Sequence, residues 1–208
     1  MKPAGLRSYN ITLGDFSMAF VPFGILLGAA LLAAEATMDL GFYRTVYTIW
    51  VTAALVTPAL CAFVLPGDSD RKRNAWLLFW TFSFVAYLVH VGYAVFAVYH
   101  GSAQEFLKGQ GIFAAINNGI FTVWWALDVG LAWFYHSDAR WVRIERVAGH
   151  VYSGLTFFLS TVILKHGFIN VIGALFTASV LICLMVRVDA KRRLATAADT
   201  AAAIAFLA

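Results

Sequence analysis

Charged side chains are scarce in this sequence. Asp, Glu, Lys and Arg make up 12% of its 208 residues, while 62% are hydrophobic. A soluble domain carries roughly a quarter charged and about half apolar residues. A soluble fold of this length cannot hide such an excess, because a small domain leaves much of its chain at the surface. The mean hydropathy of +0.78 therefore points to lipid as the solvent. The length leaves no room for a sizeable soluble domain beside a membrane one, so a single membrane domain over 1–208 is expected.

Cysteine is also scarce. Cys61 and Cys183 both fall inside apolar runs, where a thiol packs as a small apolar group, and no disulfide framework is implied. The sequence has no H-E-x-x-H, C-x-x-C, G-x-S-x-G or Walker pattern, which removes the usual warrants for a zinc hydrolase, a thiol redox enzyme, a serine hydrolase or a nucleotidase. No lysine stands mid-span to hold a retinal. The formal net charge of +4 comes from short basic clusters between apolar runs. That pattern reads as membrane topology rather than as a nucleic-acid surface.

What the chain does have is six apolar runs: Phe16–Ala34, Tyr43–Leu65, Ala75–Tyr99, Gly119–Tyr135, Val147–Lys165 and Phe168–Val188. Each approaches the ~20 residues that span a ~30 Å hydrocarbon core. The first is read as a retained span rather than a cleaved leader, since Asp15 interrupts its basic start. Thr12 and Asp15 have the spacing of a helix cap. Pro66-Gly67 ends the second run, and Gly167 sits at a hairpin between the last two. Ser102 and Glu105 open a short helix in the loop after the third.

Twelve of the fifteen Lys and Arg residues fall at the N-terminus, in Gly67–Asn74, in Ser137–Arg146 or in the tail from Arg187. Arg44, Lys108 and Lys165 fall in the remaining loops. By the positive-inside rule this predicts an all-α polytopic bundle of about six transmembrane helices. Both termini are then cytoplasmic, 189–208 is a cytoplasmic tail, and the location is a membrane crossed several times, the inner or plasma membrane if the source is a bacterium. Arg140, Arg143 and Arg146 recur every third residue and are read as contacts to anionic lipid headgroups.

Asp128 is the most informative residue, because a carboxylate at span depth costs about 2.5–3.5 kcal/mol and must find a partner inside the bundle. His90 lies at a comparable depth in the antiparallel third run, so an intramembrane Asp128–His90 pair is expected. His90, His136, His150 and His166 are also candidate axial ligands for a b-type haem or another metal. Paired haem ligands lie at matched depths, however, and these four are scattered. Gly24-x-x-x-Gly28 is a helix-packing motif, read as joining helices of one chain.

Three functions follow as expectations. The first is a non-catalytic subunit or accessory component of a larger membrane complex, partnered by other membrane subunits. The second is a membrane redox protein with a b-haem or quinone site. The third is a small proton-coupled transporter centred on Asp128.

Overall fold

The structure is a computed structural model describing residues 9–207 apart from 136 and 138, with side chains described through 199. Among the described residues it is helical, without strands. The helices are α1 (Leu13–Glu35), α2 (Leu40–Val64), α3 (Asp70–Tyr93), α4 (Ala103–Gln110), α5 (Ile112–Phe134), α6 (Arg140–Phe158) and α7 (Phe168–Leu207). Two of them end in π-helical turns, α3 in Ala94–Val98 and α6 in Leu159–Ile163.

Five helices are long and apolar enough to cross a membrane, which fits an integral membrane protein: α1, α2, α3 with its π turn, α5 and α7. The sixth expected span lies in α6. Its first turns carry Arg140, Arg143, Glu145 and Arg146, which lower its apolar character. Its 19 α-helical residues continue into a five-residue π turn, a length of about 36 Å at 1.5 Å per residue.

Local chemistry sets the helix ends. Thr12 Oγ1 accepts from the Asp15 amide at 3.1 Å, and Asp15 Oδ2 accepts from the Thr12 amide at 3.1 Å, a reciprocal cap on α1. Ser102 caps α4 through the Glu105 amide at 3.2 Å. The Glu105 carboxylate accepts from His100 Nδ1 at 3.1 Å instead of returning to the cap. The α6–α7 hairpin turns on Gly167, whose φ of +99° a Cβ would oppose. Asn170 closes it, donating to the carbonyls of Thr161 and Lys165 at 2.8 Å each. Thr161 O is among the last carbonyls of its helix and has no partner further along it.

The basic segments gather at one end of the bundle. Asn74, near the start of α3, donates to Asn10 O at 2.8 Å and to Asp15 Oδ2 at 2.9 Å, which holds the N-terminal segment there. Lys72 Nζ donates to Leu65 O at 2.5 Å and Gly67 O at 2.6 Å, and Arg187 donates to Val64 O at 3.3 Å. Three helices thus meet where the carbonyl end of α2 attracts cations. The start of α6 joins them, since Arg146 lies over the Trp76 ring at 4.8 Å.

The core is aromatic. Trp80, Tyr87, Phe121, Trp125, Phe157 and Phe176 pack at the centre, drawn from α3, α5, α6 and α7. α7 lies parallel to α2: Phe168 meets Trp50 at a 5.2 Å ring separation near the start of the pair, and Arg187 meets Val64 at its end.

The expected packing role of Gly24 and Gly28 is not met within the described chain. A Cβ at either position would have nothing within 4 Å. α1 instead buries Ala19, Ala30 and Ala34, which lie on another face. A close glycine approach between α6 and α7 is at Gly173, where an added Cβ would stand 2.8 Å from Thr161 Cβ and 2.9 Å from Val162 Cγ2.

Candidate functional site

Asp128 is 1% exposed and lies on the buried stripe of α5 with Phe121, Trp125 and Ala132. α5 begins at Ile112, seven residues before the apolar run suggested, so Asp128 stands in its last third rather than at mid-span. That shift changes its neighbours. Its Oδ2 accepts from Trp80 Nε1 of α3 at 2.7 Å. Its other neighbours come from α6, the helix that returns from the basic end.

Arg146 Nε is 3.6 Å from Asp128 Oδ1, within ion-pair range but too long for a hydrogen bond. Its side chain is 21% exposed and is stacked on Trp76. The Glu145 carboxylate also lies against Asp128, and its Oε1 accepts from Trp124 Nε1 at 3.0 Å. Two buried oxygens, Asp128 Oδ1 and Glu145 Oε2, have no hydrogen-bond donor, and buried Arg146 Nε has no acceptor.

His150 forms the floor of this site. Its Nε2 accepts from Trp76 Nε1 at 2.7 Å. An indole N–H only donates, so the imidazole proton sits on Nδ1 and goes to Arg146 O at 2.7 Å. The ring stacks between Phe63 and Trp80, with centroids at 4.0 and 4.2 Å. His150 Nδ1 is also 3.9 Å from Asp128 Oδ2, but its proton already has a nearer acceptor.

Beside Asp128 is a narrow cleft, lined by Trp80, Trp124, Trp125, Asp128, Tyr152 and Ser153 among others. Its free space admits about one water. That is far below the ~300–1,000 Å³ pockets that take organic ligands. Trp125 lines it and has an indole N–H without an acceptor.

The structure separates the pair expected from the sequence. His90 Nδ1 donates to Thr45 O of α2 at 2.8 Å, and among the described residues no hydrogen bond or ion pair joins His90 to Asp128. The partner of Asp128 is Trp80, ten residues earlier on α3 and so ~15 Å nearer the basic end. His90 lies on the face of α3 that meets α2, not α5.

The three arginines are divided as well. Arg140 and Arg143 are exposed at the start of α6, while Arg146 turns into the bundle. A three-residue step on a helix drifts by ~60°, so Arg146 stands ~120° from Arg140. It shares its face with Val142, His150, Ser153 and Phe157. The expected headgroup contact is therefore not open to Arg146, while Arg140 and Arg143 stay exposed.

As haem or metal ligands the four histidines are not brought together. His150 has no lone pair free for a metal, His90 sits against α2, His166 is exposed in the α6–α7 turn, and His136 lies outside the described residues. Among the described residues, no three His, Cys, Asp or Glu side chains gather as a metal site.

Glu145, Trp76 and Trp80 are site residues that sequence reasoning did not place beside Asp128. A signal for α6 was present: Val142, Arg146, Gly149, Ser153 and Phe157 recur at helical spacing and mark one inward face. Nothing in the sequence pairs that face with Asp128. Compared with known proteins, the chain matches no family model, no curated protein and no solved structure.

Proposed function

We propose that this is a multi-pass membrane protein that binds a proton between Asp128 and Glu145, and that it works as a small proton-coupled carrier. One observation carries the reading. The two carboxylates touch, and each keeps a buried oxygen without a donor. A single shared proton supplies the donor that both oxygens lack. It also balances charge, since two carboxylates and one arginine leave one negative charge in a region where charge is costly. The cleft beside Asp128 has room for about one water and none for a metabolite.

In this reading α6 is the sixth crossing and the basic end faces the cytoplasm. Arg140 and Arg143 then meet anionic lipid headgroups, each contributing on the order of 1 kcal/mol. The test is flux in liposomes carrying a trapped pH-sensitive dye. Wild type should acidify the lumen when an inward proton gradient is imposed together with a permeant counter-ion. Asp128→Asn should fold, reconstitute and abolish the flux. Full flux in that variant overturns the proposal.

A second reading, a non-catalytic subunit of a larger membrane complex, has one observation in its favour. Asn117 is exposed on α5: its Oδ1 accepts from Tyr152 at 2.5 Å, but among the described residues its amide N–H groups donate to no side chain or carbonyl. A polar group facing outward from a span is satisfied by another protein helix. If Asn117→Leu loses a co-purifying subunit while dye acidification is absent in wild type, this second reading replaces the first.

A further inference from the structure

Cys61 and Cys183 are 122 positions apart in the chain, yet the parallel packing of α2 and α7 brings them level. Contacts between the two helices bracket them on both sides. Above, Trp50 meets Phe168 at 5.2 Å; below, Val64 O accepts from Arg187 at 3.3 Å. Counting along both helices from the upper contact, Cys61 is eleven residues on and Cys183 fifteen. Counting back from the lower contact, they are three and four residues away, so the lower contact places them within a turn of each other. The thiols do interact side chain to side chain across this seam. Both are free and half-buried.

We propose that Cys61 and Cys183 form a reversible dithiol–disulfide site that ties α7 to α2. The oxidant class that fits their place is a hydroperoxide dissolved in the membrane. The sulfur of one cysteine attacks the peroxide O–O bond and becomes a sulfenic acid, its proton leaving with the alkoxide as an alcohol. The second thiol displaces the hydroxyl from that sulfur, its proton leaves with the hydroxide as water, and the S–S bond forms. Two thiols are oxidised by two electrons and one hydroperoxide is reduced to an alcohol and water. A disulfide suits the site better than a thiolate-bound soft metal ion. The disulfide is neutral and apolar, whereas two thiolates around a monovalent ion leave a net negative charge inside a span. A covalent tie here would fix α7 against α2 next to the cation-rich end, where Arg187 reaches Val64.

The experiment treats the full-length protein in mild detergent with cumene hydroperoxide. Thiols are then counted after denaturation, and proteolytic peptides are weighed. The expected result is paired loss of both thiols, a peptide joining the segments around Cys61 and Cys183, and full recovery with a thiol reductant. Cys61→Ser and Cys183→Ser should each abolish the joined peptide and leave the remaining cysteine as an oxygen adduct. Wild type that accumulates separate oxygen adducts, or cross-links only between molecules, overturns the proposal. So does tight silver(I) binding by both thiols in protein that never forms the joined peptide.

Discussion

Trp80 of α3 donates its indole N–H to Asp128 Oδ2 of α5 at 2.7 Å, with both side chains 1% exposed. This bond joins two helices at the depth where Arg146, Glu145 and His150 of α6 arrive, so it sets the geometry of the carboxylate site. Trp80 also stacks on His150 and lies 4.8 Å from the Trp125 ring. One side chain therefore contacts all the elements of the site.

Trp80→Phe keeps an aromatic ring but leaves Asp128 without its donor. A buried acceptor stripped of its partner costs ~1–3 kcal/mol, and the lost ring volume adds to that. Asp128→Asn keeps an oxygen for the indole and should lose less. Thermal unfolding in mild detergent measures both. In the Trp80→Phe/Asp128→Leu double variant the loss should fall short of the sum of the Trp80→Phe and Asp128→Leu single losses. Additive losses would show that the bond contributes nothing.

His90→Phe and Asp128→Asn should behave independently. Their neighbours differ, and sites without shared partners add within about 0.3–0.5 kcal/mol. A coupling well above that in the same unfolding assay would mean that the two residues meet, against the observed bond from His90 to Thr45 O.

Arg146→Gln should destabilise the protein by about 1–3 kcal/mol. It withdraws a charge facing two buried carboxylates and a cation stacked on Trp76. Arg143→Gln, at an exposed position one turn earlier, should stay within ~0.5 kcal/mol. The contrast is the test: equal effects from the two variants would put Arg146 back at the surface. Binding to vesicles of anionic lipid should show the reverse order, with Arg140 and Arg143 mattering and Arg146 not.

Gly173→Ala should lower the unfolding temperature clearly, because its methyl would enter the space of Thr161 and Val162 in the π turn of α6. Gly24→Ala and Gly28→Ala meet open space and should be neutral or stabilising by up to ~1 kcal/mol through helix propensity. A loss at Gly24 or Gly28 that depends on protein concentration would reveal packing between two copies.

Reporter fusions after Asn74 and Lys191 should lie on one side of the membrane, and fusions after Ser102 and Gly167 on the other. This follows from the basic residues gathered around Val64, Asn74 and Arg187. A fusion after Gly167 that reports the same side as Asn74 would remove α6 as a crossing.

Several elements were legible in the sequence because they depend on quantities that run along the chain. Hydropathy over ~20 residues located α1, α2, α3, α5 and α7. The Thr12–Asp15 spacing announced a cap whose donors and acceptors lie within one turn. Gly167 marked a hairpin because only a residue without Cβ takes its φ freely. The basic clusters named the segments that meet at one end. The ends of α5 were less legible: Ile112–Asn118 mixes apolar residues with Asn117 and Asn118, so hydropathy started the run at Gly119 and placed Asp128 too close to mid-span.

The sequence by itself determined that the chain is a set of long apolar helices carrying a costly carboxylate, since burial in lipid and local capping need no knowledge of the fold. Only the tertiary structure decided which side chains that carboxylate meets. A one-residue change in where a helix meets its neighbour rotates its contact face by ~100°, and that rotation is set by packing between residues far apart in the chain. It turned Arg146 inward while Arg140 and Arg143 stayed exposed. It gave His90 to Thr45 and Trp80 to Asp128, and brought Glu145 against Asp128. By the same packing it set Cys61 beside Cys183.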